Sequence, residues 1–271
     1  MEYTYSNITF EIKGKIGIIK FLNSFSEKLQ IDLLTALREL AANPETIFTV
    51  LTGEGRFFSA GADVRAFDAK SVIEKCNNHV EKKLAFLAHF AFPLEIMRSV
   101  IDHPKVFVLA LNGPGVGGGA SWFQGLADVV LAAQGAYLQV PFNALGLVPE
   151  NGATTILAES IGVHRANDFL MFGRKVTVEE FEQWGLINHI LPREGFHGHV
   201  LEFLEAQLKV NDGKSMIETK RLQNLPLRGS RILAVYNAVD ALAERFAEGT
   251  PIKIFEKRKA ELEAKSKKAK L

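Results

Sequence analysis

The sequence predicts an α/β fold with crossover connections, and three observations carry that prediction. Val106–Leu111 (VFVLAL) is an unbroken apolar run that stops at Asn112-Gly113-Pro114 and empties into Gly115-Val116-Gly117-Gly118-Gly119. Such a run, closed by Gly and Pro, reads as a buried strand ending in a turn. Strand and helix patterns alternate to about residue 190, as parallel strands with crossover helices require. From Gly195 onward the patterns are helical throughout, so the chain divides into a core over 1–195 and a helical region over 196–271.

The elements follow in order. Ile8–Ile12 and Ile16–Phe21 flank Gly14-Lys15 and read as two strands joined by a turn. Leu29, Leu33, Leu34, Leu37 and Leu40 recur at helical spacing. Ile47–Leu51 is a β-branched strand leading into Thr52-Gly53-Glu54-Gly55 and then Phe57–Asp63 (FFSAGAD). Val64–Ile101 is mostly helical, with Leu84, Phe86, Leu87, Phe90, Phe92 and Leu94 read first as core and second as lining for an acyl-sized cavity. After the glycine-rich loop, Trp122–Ala127 is predicted to continue a helix. Asp128–Ala132 and Ala136–Val140 are strands, Pro141–Gly152 a loop, and Ala153–Ile161 a helix. Helices are then expected over Val200–Val210, Lys214–Leu225, Arg231–Phe246 and Ile252–Lys265.

Bulk properties narrow the function classes. The 271 residues carry a net charge of +1 and are 47% hydrophobic, which suits a globular protein and argues against disorder or a nucleic-acid partner. No run is long enough for a membrane span, and MEYTYSNITF lacks the pattern of a signal peptide. A single cysteine, Cys76, precludes an internal disulfide and suggests a reducing compartment. The seven histidines show no metal-ligand spacing beyond His197-x-His199, read as a surface pair in a loop. Ala269-Lys270-Leu271 resembles the Ser-Lys-Leu peroxisomal address, which an import receptor would read; the alternative is a basic solvated tail.

Two loops of similar build are the candidate site. Gly113–Gly118 formally satisfies G-x-G-x-x-G, but no acidic residue ends the next strand and Pro114 removes one donor, so a dinucleotide reading is weak. The alternative pairs the Ala62 and Gly118 regions, each offering a backbone N–H to one substrate oxygen as an oxyanion hole.

FFSAGAD, LNGPGVGGGAS (Leu111–Ser121), ADVVLAA and PFNALGLVPENGATT resemble the crotonase (enoyl-CoA hydratase/isomerase) superfamily, over about Ile8 to Pro192. The resemblance implies a ββα spiral with a helical trimerisation region, assembly as a trimer or hexamer, and an acyl-CoA ligand. No cofactor beyond the coenzyme A of the substrate, and no metal, is implied. The thioester oxygen would meet the N–H groups of Ala62 and Gly118. Ser59, Ala60, Gly61, Asp63 and Gly117 from the two loops, with Phe142, Leu145 and Lys28, would contact substrate. Asp63 resembles a family aspartate that closes its turn.

At the two positions where hydratases carry glutamates this chain has Ser121 and Phe142, neither able to activate water. Glu150, further along the third loop, is placed like the single catalytic glutamate of peroxisomal-type Δ3,Δ2-enoyl-CoA isomerases. Phe142, Leu145, Leu147 and Val148 would raise its pKa by desolvation. The plain alternative is that Glu150 caps the Ala153 helix from solvent. A dienoyl-CoA isomerase would be expected to add a second acidic residue in the third loop, and a non-catalytic acyl-CoA binding protein would need no base. Lys28, Lys253, Lys257 and Arg258 are candidates for CoA phosphates, and a solvated helix face explains the last three equally well.

Overall fold

The computed structural model describes residues 3–22, 26–61 and 69–268. β1 (Ile8–Lys13) and β2 (Ile16–Phe21) form an antiparallel hairpin. α1 (Glu27–Ala42) starts at Ser26, whose side chain accepts from the Leu29 N–H, and its leucines turn inward. β3 (Phe48–Gly53) follows, then α2 (Ala69–Glu74), α3 (His79–His89), α4 (Ala91–Ile101) and β4 (Val106–Leu111). The chain continues through β5 (Gly115–Val116), β6 (Val129–Ala133), β7 (Tyr137–Gln139), α5 (Ala153–Ile161) and α6 (Val163–Phe172). β8 (Val176–Thr177), α7 (Val178–Gln183) and β9 (His189–Leu191) precede four helices. These are α8 (Phe196–Val210), α9 (Gly213–Asn224), α10 (Arg228–Ala247) and α11 (Thr250–Lys268).

The strands make a six-stranded sheet in the order β1-β2-β3-β4-β6-β9 and a three-stranded sheet in the order β5-β7-β8. From β2 to β9 the large sheet is parallel. Two strands of the large sheet feed the smaller one, β4 leading to β5 and β6 to β7, while the chain after β3 touches Gly115 through a bridge at Ser59. This is the expected spiral.

The central strands are apolar on both faces because both faces are covered. Ile18, Val50, Val108 and Leu131 point to the side closed by Phe196, Val200 and Leu204 of α8. Ile19, Leu51, Leu109 and Val130 point to the main core with α1, α4, α5 and α10. Of the aromatic cluster before β4, Phe86 and Phe90 pack on Phe246 of α10, with ring centroids 5.1 and 5.6 Å apart. Leu84 and Phe92 of that cluster are exposed instead.

α9 is fastened to the sheet by a buried ion pair. Lys220 Nζ lies 2.7 Å from Asp128 Oδ2 and donates to the Lys105 carbonyl at 2.6 Å, while the same carboxylate oxygen accepts the Phe107 N–H at 2.7 Å. Removing one partner of such a pair strands a charge away from water, which typically costs about 3–5 kcal/mol. Lys220→Met is therefore expected to lower unfolding free energy by about that amount in urea melts, and adding Asp128→Asn should return part of the loss.

Candidate active site

β3 and β4 are parallel neighbours, so the loops that leave their C-terminal ends emerge side by side, where ligands bind in open parallel sheets. Main-chain bonds join them: the Phe58 N–H donates to Pro114 O at 3.0 Å and the Val116 N–H to Ser59 O at 2.9 Å. Asn112 is the brace. Its Oδ1 accepts the Gly53 N–H at 3.0 Å, and its Nδ2 donates to Gly55 O at 3.0 Å and Phe57 O at 3.3 Å.

The small residues are required by this contact. A Cβ on Gly113 would stand 2.1 Å from the Arg56 carbonyl oxygen, and one on Gly119 would stand 2.2 Å from Ser59 Cβ. Gly61 and Gly117 both have left-handed backbones (φ 87° and 63°), and a Cβ on Gly117 would lie 3.6 Å from Gly61 Cα. The residues directly before the two expected donors thus meet. Gly118, in the first turn of a 3₁₀ helix (Gly117–Ala120), has no main-chain acceptor for its N–H among the described residues. Ala62 and Asp63 lie outside the described residues. Ser59 is buried and its Oγ accepts the Gly61 N–H at 3.2 Å, whereas Ala60 is exposed.

The helix predicted to follow the glycine loop does not form. Beyond the single 3₁₀ turn, residues 121–126 run as turns and bends. Gln124 explains why. Its buried Nε2 donates to Gly119 O at 2.8 Å, and its Oε1 takes the Phe123 N–H at 3.3 Å. Those two main-chain groups would have bonded each other in an α-helix.

The third loop delivers the carboxylate. Leu145 and Leu147 N–H groups both return to Phe142 O, at 2.9 and 3.0 Å, and curl the chain around a 3₁₀ turn at Asn143–Leu145. Asn151 (φ 52°) and Gly152 (φ 78°) are consecutive left-handed residues that turn the chain into α5. The N-cap of α5 is Gly152, with no side-chain cap. The side chain of Glu150 goes elsewhere: its Oε2 accepts the indole N–H of Trp122 at 2.9 Å. A Cβ on Gly118 would be 3.2 Å from that oxygen, so Glu150 and Gly118 are brought together. Glu150 is half-buried; burial pushes its pKa up, and the Trp122 hydrogen bond opposes the rise.

Of the third-loop residues expected to line the site, Phe142 and Leu147 are buried in the main core, with Leu145 and Val148 packed against it. Ser121 is buried and its Oγ has no partner among the described residues. Lys28 is exposed on the first turn of α1, and Lys253, Lys257 and Arg258 are exposed on α11, where Arg258 reaches the Ala144 carbonyl at 3.4 Å. His197 and His199 are not in a loop. They sit on the first turn of α8, with His197 half-buried 3.2 Å from Thr52 Oγ1 and its pKa lowered by burial. Among the described residues no group of three His, Cys, Asp or Glu side chains is placed to hold a metal, and no single helix is long and apolar enough to cross a membrane.

Trp122 is the partner of Glu150 that the sequence reading misses. It falls in the stretch taken for a helix, and nothing in local periodicity ties an indole to a carboxylate 28 residues later.

Residues 15–224 match the family model described as enoyl-CoA hydratase/isomerase. The Delta(3,5)-Delta(2,4)-dienoyl-CoA isomerase of Pyricularia oryzae is 32% identical over 268 residues, covering 91% of this chain and 94% of that protein. The 3,2-trans-enoyl-CoA isomerase of Saccharomyces cerevisiae is 30% identical over 264 residues, covering 92% of each chain. Enoyl-CoA delta isomerase 3, peroxisomal, of Mus musculus is 27% identical, covering 89% of this chain and 74% of that protein. Among solved structures, an enoyl-CoA hydratase from Bacillus halodurans superposes with a TM-score of 0.80 at 21% identity, covering 93% of this chain and 99% of that one.

Proposed function

Because the chain belongs to the enoyl-CoA hydratase/isomerase family and has the crotonase fold, we propose that it moves the double bond of a 3-enoyl-CoA to the trans-2 position, with Glu150 as the single base. The observation that carries this reading is the half-buried Glu150 carboxylate beside Gly118, held by one indole donor and with its pKa raised by burial. Glu150 would take a proton from C2 of the acyl chain. The electron pair of that C–H bond and the C3–C4 π pair would delocalise into a dienolate, with charge on the thioester oxygen. The N–H groups of Gly118 and Ala62 would stabilise that charge. Glu150 would then return the proton to C4, leaving the double bond between C2 and C3. Atoms balance with no other reactant.

Hydration would need a water-activating carboxylate, and Ser121 and Phe142 hold the positions where the resemblance expects one. A dienoyl-CoA isomerase is the second reading, favoured by the 32% identity to the Pyricularia protein. Against it, the third loop, Pro141–Gly152, offers Glu150 as its one acidic residue, where that class is expected to add a second. The test is direct: wild-type protein is assayed with 3-hexenoyl-CoA, a 3,5-dienoyl-CoA and crotonyl-CoA. Preferential turnover of the 3-enoyl substrate supports the proposal. Preferential turnover of the dienoyl substrate selects the second reading, dominant hydration rejects both, and tight binding without turnover leaves a binding protein.

Lys28, Lys253, Lys257 and Arg258 remain the candidates for CoA phosphates, and a trimer or hexamer the expected assembly. A peroxisomal matrix location rests on Ala269-Lys270-Leu271, which lies outside the described residues and would be read by the import receptor, and on the peroxisomal mouse relative.

A further inference from the structure

Trp122 lies between the two halves of the site. Its side chain is almost wholly buried, and it lies so close to the Gly118 backbone that a Cβ there would be 2.7 Å from Nε1 and 2.9 Å from Cε2. The Phe123 ring meets it edge-on at 6.1 Å. A ring confined on these sides has little rotamer freedom, so its N–H is aimed by packing. That N–H ends on Glu150 Oε2 at 2.9 Å, while no described residue donates to Oε1.

We propose that Trp122 is the positioning residue of the base: its indole holds Glu150 Oε2 so that Oε1 is the oxygen that takes and returns the substrate proton. This rests on the reading of Glu150 as the base. The choice of an indole has a chemical reason. It is a donor only, so it can steady a carboxylate without offering a lone pair that would compete for the proton in transit. A hydroxyl, amide or imidazole at the same place would bring an acceptor as well. The indole also stabilises the charged form, offsetting the burial that drives the carboxylate toward its neutral form. A shuttle must both accept and release a proton, so a base pushed too far in either direction would stall at one of its two steps.

The test is the pH profile of isomerisation by Trp122→Phe, which keeps the aromatic bulk and removes the donor. Losing one hydrogen bond to a charged acceptor should move the acid limb of kcat/KM upward by about one pH unit. The decline in rate should fall mainly on kcat, with KM changed less than threefold or so. A second measurement needs no change at Trp122. The chain has two tryptophans, and a Trp184→Phe control assigns the Trp122 indole N–H resonance in ¹⁵N-labelled protein. That resonance should titrate with the midpoint of the acid limb and stop titrating in Glu150→Gln. An unmoved acid limb in Trp122→Phe, or an indole resonance flat across that limb, overturns the proposal. Should the phenylalanine variant fail to fold, the resonance decides alone. Full activity in Glu150→Gln would instead remove the base, and the proposal with it. Lost activity in Glu150→Gln beside an unmoved limb in Trp122→Phe removes only the role of Trp122.

Discussion

Glu150→Gln is expected to isomerise 3-hexenoyl-CoA at least about a hundredfold more slowly than wild type, the scale set by removing one positioned general base. The glutamine is nearly isosteric and its amide oxygen can still accept the Trp122 N–H, so the pocket should keep its shape. Binding of a saturated acyl-CoA should therefore be largely retained. Stability should move the other way. Burial raises the Glu150 pKa in the folded state, so between the ordinary carboxylate value and the raised one the folded protein binds more protons than the unfolded chain. Folding stability then falls as pH rises through that window, and above it the charged carboxylate remains a burden on the fold. The glutamine variant, which cannot ionise, should melt at the same temperature as wild type or higher at neutral pH. Kinetics and a thermal melt on one preparation check both halves. Full activity, or a large drop in melting temperature, would make Glu150 a structural residue.

Gly118→Ala is the second large effect. No left-handed φ marks this glycine, so alanine meets no backbone penalty, and everything follows from the added methyl. It would lie 2.7 Å from Trp122 Nε1 and 3.2 Å from Glu150 Oε2. The indole is packed and cannot retreat cheaply, so the methyl should part the indole from the carboxylate or shift the Gly118 N–H. Displacements of about an ångström at a reacting centre cost on the order of a hundredfold in rate. The stability loss should be about 1–3 kcal/mol, as for other overpacked sites. Coupling to Trp122→Leu, which relieves the clash, should make the double variant more stable than the sum of single losses implies. Additive losses would mean that the methyl disturbs something other than the indole. Gly113 offers a contrast: its Cβ would meet the Arg56 backbone at 2.1 Å, a neighbour with no flexible end to give way.

The limits of legibility follow from the range of the forces involved. β4 was readable because a strand covered on both faces must be apolar at every position, a local pattern. α1 and α5 were readable for the same kind of reason, and the observed α5 spans the residues expected of it, Ala153–Ile161. The meeting of the two loops was suggested by small residues after two strands, since close backbone approach leaves its mark in glycines such as Gly113 and Gly119. Residues 122–127 were misread because helix propensity is weak against one buried amide: Gln124 captures the Gly119 carbonyl and Phe123 N–H that a helix would have used. His197 was misread for a related reason, since its position in the helix depends on where α8 begins against Thr52.

By itself the sequence determined the order of strands and helices, the glycines that let two backbones touch, and the presence of one carboxylate in the third loop. All of these are written within a few residues of where they act. Tertiary structure alone decided that the Glu150 side chain turns from the α5 terminus toward Trp122, that it is half-buried there, and that Gly118 lies against both. Those outcomes depend on packing between segments far apart in the chain, where burial and one indole hydrogen bond set the protonation and direction of a group that local pattern leaves free.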